Sequence, residues 1–385
     1  MGIVMTSALD EIRTVSGTKC FDDVPFSALT TLRLGGTPAA VVRCESPDAV
    51  VQTIRILDEA DVPLLVVGGG SNLVVSDEPG DLVAVVIDAD EVSLSTQGQG
   101  IESFAAIVEA EAGAEWDDVV QMSVDAGFGG LECLSGIPGS VGATPVQNVG
   151  AYGAEVSQTL EEVRLYDRAT GTDEWVSPES LDLGYRYSNL KFTSRAVVLA
   201  VRFRLTVDGM SAPLRFGELA RTLGVSEEEG RSGEARRPVA DVRDAVLQLR
   251  RGKGMVLDPE DHDTWSAGSF FTNPVIDSAD LESVRAAVEQ RCGADEVATM
   301  PAYPGADDMV KLSAAWLIER AGFPKGYPDD DAPARLSTKH TLALTNRGSA
   351  GTADLVALAR DVRDGVREAF GVDLVPEPVW VGVEL

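Results

Sequence analysis

LECLSGIPGSVGATPVQNVGAYG, residues 131–153, carries glycines at 136, 139, 142, 150 and 153, prolines at 138 and 145, and a single charge, Glu132. A solvent-facing loop of this length would be polar and charged. Small residues with apolar flanks predict instead a loop half-buried against a large ligand. Glycines admit backbone N–H groups to a phosphate without interference from a Cβ, and Ser135, Ser140 and Thr144 add hydroxyls. A tight connection between two packed elements would have the same composition. A second glycine loop upstream, Gly68-Gly69-Gly70-Ser71-Asn72, turns the balance toward a long, diphosphate-bearing ligand.

The upstream loop follows a short apolar strand at 63–67, which itself follows a predicted helix. Ser46, Pro47 and Asp48 open that helix with an N-cap hydroxyl, a proline in the first turn and an acid at the positive end of the dipole. Val50, Ile54 and Leu57 recur on its inner face. A strand-like run ends at Val42, another strand spans 82–87, and helices are predicted over 102–112 and 116–126. Beyond the glycine-rich stretch, 160–177 predicts a hairpin turning at 168–171, and 197–205 a strand that closes the first large unit. The charged, aperiodic segment 227–237 is expected to be a linker. Helices are predicted over 239–250, 279–291, 310–321 and 353–370, the last with Leu355, Leu358, Ala359, Val362 and Val366 on one face. Residues 1–20 are expected to be an untidy extension.

At 385 residues, 44% of them apolar, the chain suits two or three globular domains. It contains no apolar run of membrane-spanning length and no basic-then-apolar leader, so a cytoplasmic protein is expected. Cys20, Cys44, Cys133 and Cys292 show no CxxC spacing and His262 and His340 are the only histidines, so neither a zinc site nor a disulfide framework is expected. The formal charge of −30, with no basic stripe, argues against nucleic acid. An anionic ligand must be held by local Arg and Lys against that background field. Neither a dinucleotide GxGxxG fingerprint with its acid nor a GxxxxGK[ST] loop occurs, which disfavours a doubly wound fold. The two glycine loops suit FAD lying between two lobes.

Three candidates for chemistry stand apart. Gly184-Tyr185-Arg186-Tyr187-Ser188 sets a guanidinium among aromatics, for an anion or for a structural cation–π or ion pair. In Ser266-Ala267-Gly268-Ser269-Phe270-Phe271, Ser269 is either a reactive hydroxyl or a backbone-bonded turn residue. Glu377, between two prolines, is a functional or a merely solvated carboxylate. Two histidines leave no defensible Ser-His-Asp set.

Eight segments, in order, closely resemble the UDP-N-acetylenolpyruvoylglucosamine reductase (UDP-N-acetylmuramate dehydrogenase) family. They are LRLGG (32–36), VVGGGSNLVVSD (66–77), SGIPGSVGATPVQNVGAYG (135–153), YRYS (185–188), SAGSFFTNP (266–274), KLSAAWLIERAG (311–322), STKHTLALTNRG (337–348) and PEPVWVG (376–382). The resemblance spans nearly the whole chain. It implies an α+β fold: a two-lobed vanillyl-alcohol-oxidase-type (PCMH) FAD-binding domain over 21–226, the linker at 227–237, and an α+β substrate-binding domain over 238–385. It implies an NADP-linked flavoenzyme of peptidoglycan precursor synthesis, in which NADPH and the UDP-sugar share one site and hydride passes by way of FAD to an enolpyruvyl ether. Ser269 is then the proton donor, and Arg186 and Glu377 stabilise charge at the substrate carboxylate. FAD contacts fall on Gly68, Gly69, Gly70, Ser71, Asn72, Gly136, Ile137, Gly139, Ser140 and Thr144, and Tyr152, Tyr185, Lys253 and Asn273 hold the UDP-sugar. A monomer without nucleic-acid or membrane partners is expected. Phe216 departs from the family pattern, standing where the subgroup has a tyrosine that closes over the substrate diphosphate. The alternatives are an FAD-dependent oxidase of an alcohol or sugar on the same cofactor domain, and a non-catalytic UDP-sugar-binding protein.

Overall fold

The computed structural model describes residues 2–97, 105–305 and 308–385. The chain divides into two compact units, one drawn from Met1–Val24, Thr37–Gly70 and Gly80–Val256, the other from Pro25–Gly36, Ser71–Pro79 and Leu257–Leu385.

The first unit holds a four-stranded sheet in the order Thr18–Phe21, Ala40–Cys44, Val83–Ile87, Leu64–Val67, antiparallel at the first pairing and parallel at the other two. Helix Pro47–Glu59 is the crossover that a parallel arrangement requires. Its Ser46 hydroxyl accepts the Ala49 N–H at 3.2 Å, and Val50, Ile54 and Leu57 are fully buried, as their spacing predicts. The chain leaves Leu64–Val67 directly into Gly68. Far from trailing loosely, the first residues form helix Gly2–Ile12, which buries Ala8, Leu9 and Ile12 in the same core, and Thr18–Phe21 supplies the edge strand. The polar residues Ser7, Asp10 and Glu11 between those apolar positions conceal a helical stripe.

A five-stranded antiparallel sheet follows in the order Asp173–Val176, Leu160–Asp167, Ala196–Leu205, Ala105–Glu111, Val92–Gln97. The predicted hairpin and the long strand are both present. The segment 102–112, predicted helical, is instead strand Ala105–Glu111, residues 102–104 lying outside the described residues. AAIVEAE has the alanines and glutamates of a helix, and pairing with Val92–Gln97 on one side and Ala196–Leu205 on the other overrides that preference. At the start of the expected linker, Ser226 and Glu229 form a capping box that opens helix Glu227–Ser232. Helix Val239–Gly252 then packs Val242, Ala245 and Val246 into the first core, and the first unit continues to Val256.

In the second unit, helix Thr352–Phe370 buries Leu355, Leu358, Ala359, Val362 and Val366, the predicted face, each large side chain contributing about 2 kcal/mol. It packs on helices Leu281–Cys292 and Ala314–Ala321. The segment 310–321, predicted as one helix, is divided. Met309–Leu312 is the central strand of a three-stranded antiparallel sheet, and the Ser313 hydroxyl accepts the Trp316 N–H at 3.3 Å to start the helix at Ala314. Strand Leu73–Val75 pairs in parallel with Val379–Val381, and Ala334–Leu336 pairs with Leu344–Asn346. Among the described residues no helix is long and apolar enough to cross a membrane.

Candidate active site

Within the first unit the two glycine loops meet. A Cβ on Gly69 would stand 2.5 Å from the Gly139 Cα and 3.0 Å from its carbonyl carbon, so the backbone approach requires glycine there, while one on Gly68 would stand 2.2 Å from the Ser140 hydroxyl oxygen, which would have to rotate away. Helix Trp116–Asp125 fixes the second loop. The Trp116 N–H donates to Gly139 O at 2.9 Å, its indole to Leu134 O at 3.0 Å, and Asp117 Oδ1 accepts the Gly136 N–H at 2.6 Å. Buried Arg243 grips both Asp117 oxygens at 2.7 and 2.9 Å. The hydroxyls of Ser135 and Thr144, expected to face a ligand, donate within the loop to Glu132 O at 2.6 Å and Val141 O at 2.8 Å, and so hold its shape. Among the described residues, the backbone N–H groups of Gly69, Gly70 and Ile137 have no protein acceptor, whereas the Gly139 N–H is directed at the Glu115 carboxylate.

Burial alone would raise the Asp117 carboxyl, but the Arg243 fork and the Gly136 N–H outweigh it and hold Asp117 below the usual carboxylate range. Its stabilisation is therefore fully present above the unfolded value of about 3.9 and is lost as pH falls through the depressed folded value. Asp117→Asn is expected to lower stability by about 2 kcal/mol at neutral pH. In melts recorded stepwise into acid, the gap between variant and parent should close as pH falls through that folded value; a gap that persists there contradicts the assignment.

Residues Gly150–Ala151 and Ala154–Glu155 form a tight hairpin with Tyr152 (φ +52) and Gly153 (φ +83) at its tip. A bulky residue in the left-handed region is strained, and here it presents the ring to a cluster. Phe216 packs edge-on at 5.4 Å between ring centres, and Lys253 Nζ lies 5.9 Å from the Tyr152 ring centre and 2.6 Å from Glu218 Oε2. Burial raises the Tyr152 hydroxyl, against the pull of Arg250. Arg250 is absent from the sequence-derived candidates. Its Nη2 donates to Met255 O at 2.7 Å, while its Nε is enclosed without a partner. Burial brings the Arg250 guanidinium down to about 10 despite the nearby Tyr152 and Asp117. A Cβ on Gly136 would lie 3.5 Å from that Nε, so one helix end, 250–253, serves both the Gly136 turn and the Tyr152 cluster. The available signal was the density of cations, Arg250, Arg251 and Lys253, in so acidic a chain.

Arg186 sits on a turn in which Gly184 and Tyr187 exchange backbone hydrogen bonds at 3.0 and 3.2 Å, and it adopts φ +54. Its Nη2 donates to Gly150 O at 2.5 Å, buried Asn148 Nδ2 to Gly184 O at 3.0 Å, and Ser188 Oγ to Val146 O at 2.5 Å. The Tyr185 ring centre is 5.2 Å from the guanidinium carbon. Arg186 is thus tied to the strand that leads into Tyr152.

In the second unit, Ser269 is half-buried, following Gly268 at φ +72. The Glu377 N–H donates to Phe270 O at 2.9 Å, and Phe271 bridges Pro376. Asn72 Nδ2 donates to Glu377 O at 3.4 Å, and Val379 N–H to Asn72 O at 2.9 Å. Ser269, Glu377 and Asn72 therefore belong to one backbone network. Asn273 Oδ1 accepts the Ala314 N–H at 3.0 Å, at the start of helix Ala314–Ala321.

Two family models match this chain: an FAD binding domain over residues 38–177, and the UDP-N-acetylenolpyruvoylglucosamine reductase C-terminal domain over residues 258–381. It is 58% identical over 381 residues to UDP-N-acetylenolpyruvoylglucosamine reductase 2 of Corynebacterium glutamicum, with 99% of each chain covered. The chain belongs to the UDP-N-acetylenolpyruvoylglucosamine reductase family. The reductase of Nocardia farcinica is 58% identical over 98% of this chain and 94% of its own, and that of Mycobacterium sp. 54% identical over 96% and 99%. A solved UDP-N-acetylenolpyruvylglucosamine reductase from Thermus caldophilus has the same fold, with a TM-score of 0.58 at 23% identity over 94% of this chain and 98% of that one. The architecture is the expected one, a PCMH-type FAD-binding domain followed by the reductase family's C-terminal domain. Two glycine loops in contact, with backbone donors lacking protein acceptors and a buried cation beside them, fit a diphosphate-bearing cofactor such as FAD.

Proposed function

We propose that this protein, in the cytoplasm and as a monomer, uses NADPH to reduce the enolpyruvyl ether of UDP-N-acetylglucosamine to UDP-N-acetylmuramate for peptidoglycan precursor synthesis. When bound, FAD supplies the hydride relay between NADPH and the sugar. The N–H groups of Gly69, Gly70 and Ile137 bind the cofactor diphosphate, with Gly68, Ser71, Asn72, Gly136, Gly139, Ser140 and Thr144 shaping the cradle. Tyr152, Tyr185, Lys253 and Asn273 hold the UDP-sugar, which takes the site after NADP⁺ leaves. Hydride arriving at C3 drives negative charge onto C2 and the adjoining carboxylate, where a fixed, permanently charged guanidinium is most effective; Arg186 fills that role. Ser269 gives C2 its proton and Glu377 orients the network around it.

The observation that carries these roles is the hydrogen bond from the Glu377 N–H to Phe270 O, which sets the proton donor's turn against the carboxylate's segment. An anaerobic absorbance titration tests the whole: yellow protein is expected to bleach with NADPH and to regain colour with the UDP-enolpyruvyl sugar. Protein that NADPH leaves yellow, but that consumes oxygen with an alcohol or sugar, overturns it.

The Lys253–Glu218 pair leads to a second expectation. If Lys253 receives the substrate diphosphate, Glu218 competes for it. Both side chains are about a third exposed, which limits the pair to at most about 1 kcal/mol, or roughly fivefold in affinity. Glu218→Gln is expected to lower the KM for the UDP-sugar by up to that factor without changing the rate of flavin bleaching; a raised KM in steady-state kinetics contradicts the competition.

A further inference from the structure

The motif LRLGG (32–36) takes no part in the roles above. In the second unit Gly35 adopts φ +107, and a Cβ there would lie 2.8 Å from the Phe26 Cβ and 2.9 Å from the Val75 Cβ. One on Gly36 would lie 1.9 Å from Asp77 O, and the Gly36 N–H donates to Ser76 O at 2.9 Å. The glycine pair therefore lies flush on strand Leu73–Val75 and the residues that follow it, the strand that Ser71 and Asn72 lead into. The residues just before the pair reach the turn that carries Ser269. Thr31 Oγ1 donates to Ser266 O at 2.7 Å, with both residues buried. The Arg33 guanidinium carbon lies 3.8 Å from the centre of the Trp265 ring. Buried Asn346 joins the two segments: its Nδ2 donates to Leu32 O at 3.1 Å and Arg33 O at 3.2 Å, and its backbone N–H to Trp265 O at 3.1 Å. Arg33 keeps φ +52, a left-handed conformation that a non-glycine residue sustains only where its surroundings hold it.

We propose that Thr31 and Arg33 are positioning residues for proton transfer. They fix the start of the 266–269 turn so that the Ser269 hydroxyl stands where C2 of the substrate receives its proton. The inference rests on the reading of Ser269 as proton donor. The far end of the turn is held separately, by the Phe270 N–H on Leu342 O at 2.7 Å and by the Glu377 N–H on Phe270 O at 2.9 Å. With that end fixed, loosening the start frees residues 266–268, and the Ser269 hydroxyl shifts with them. A serine hydroxyl is a weak acid and transfers its proton only from a held position, and a shift of about 1 Å costs on the order of 10²-fold in rate. Hydride transfer from NADPH makes no demand on this hydroxyl, so the two halves of the cycle respond differently.

Thr31→Val removes the hydroxyl with little change of shape. In anaerobic stopped-flow, bleaching by NADPH is expected to keep the parent rate while re-oxidation by the UDP-enolpyruvyl sugar slows about tenfold, with Thr31→Ser restoring it. Arg33→Leu, at a half-buried site, is expected to act in the same direction and serves if Thr31→Val fails to fold. Variants that melt lower but re-oxidise at the parent rate, or that slow equally in both steps, overturn the proposal in favour of a purely structural brace. Ser269→Ala, run in parallel, separates the two levels. If Ser269→Ala is slow and Thr31→Val is not, the positioning inference alone falls. If Ser269→Ala re-oxidises at the parent rate, the proton-donor role falls and the inference with it.

Discussion

Ser269→Ala is expected to bleach with NADPH at the parent rate and to lose at least about 10²-fold in re-oxidation by the UDP-enolpyruvyl sugar, the usual scale of a positioned general acid. Alanine keeps the Cβ, and the turn is held at its far end by Phe270 N–H to Leu342 O and Glu377 N–H to Phe270 O and at its start by the Thr31 hydroxyl on Ser266 O, so the fold should change little. The loss is confined to one half of the cycle because only the substrate's C2 requires a proton from the protein. If the alanine variant turns over normally, proton delivery belongs to another group and the role assigned to Ser269 is wrong. Loss in both halves would point instead to damage at the cofactor, and a spectrum of the bound flavin distinguishes the two.

What the sequence made legible follows from how local each signal is. Helix Thr352–Phe370 carries its apolar residues at helical spacing and Pro47–Glu59 announces itself by Ser46 and Pro47, and both are found where predicted. Ala105–Glu111 was misread because its alanines and glutamates favour a helix, while the partners that make it a strand lie elsewhere in the chain. At 309–321 the apolar residues run continuously through a strand and a helix, and the boundary is marked only by the capping Ser313. The capping box at Ser226 and Glu229 was likewise visible, but was masked by charge that read as a linker. The glycine loops are legible in the sequence, though the reason for their glycines is only partly the expected one. Gly69 is needed chiefly so that its loop can lie on the Gly139 and Ser140 backbone, and it is the backbone N–H groups left over that suit a diphosphate. Arg250 is not legible in the sequence because a basic helix end is ordinary; its enclosure beside the Gly136 turn is a tertiary fact.

That distinction sets the second large expectation, at Gly69. A Cβ there would lie 2.5 Å from the Gly139 Cα and 3.0 Å from its carbonyl carbon, contacts that must be relieved by moving backbone. Gly139 is not free to yield, because its carbonyl oxygen holds the Trp116 N–H at 2.9 Å, and the same loop is anchored at Gly136 by Asp117, itself clamped by Arg243. The displacement therefore falls on 68–70, the loop whose donors have no other acceptor. Gly69→Ala is expected to cost about 1–3 kcal/mol of stability, the usual range for overpacking. FAD affinity should fall by more than that strain alone implies, by about 10²-fold, since several donors move together. Gly230→Ala, where a Cβ meets nothing closer than 4.0 Å, is the matched control and should bind FAD as the parent does. Flavin fluorescence titration of the apoprotein, with far-UV circular dichroism to confirm the fold, decides the matter: a Gly69→Ala protein that binds FAD as tightly as its parent would mean that contact between the loops does not set the cofactor cradle.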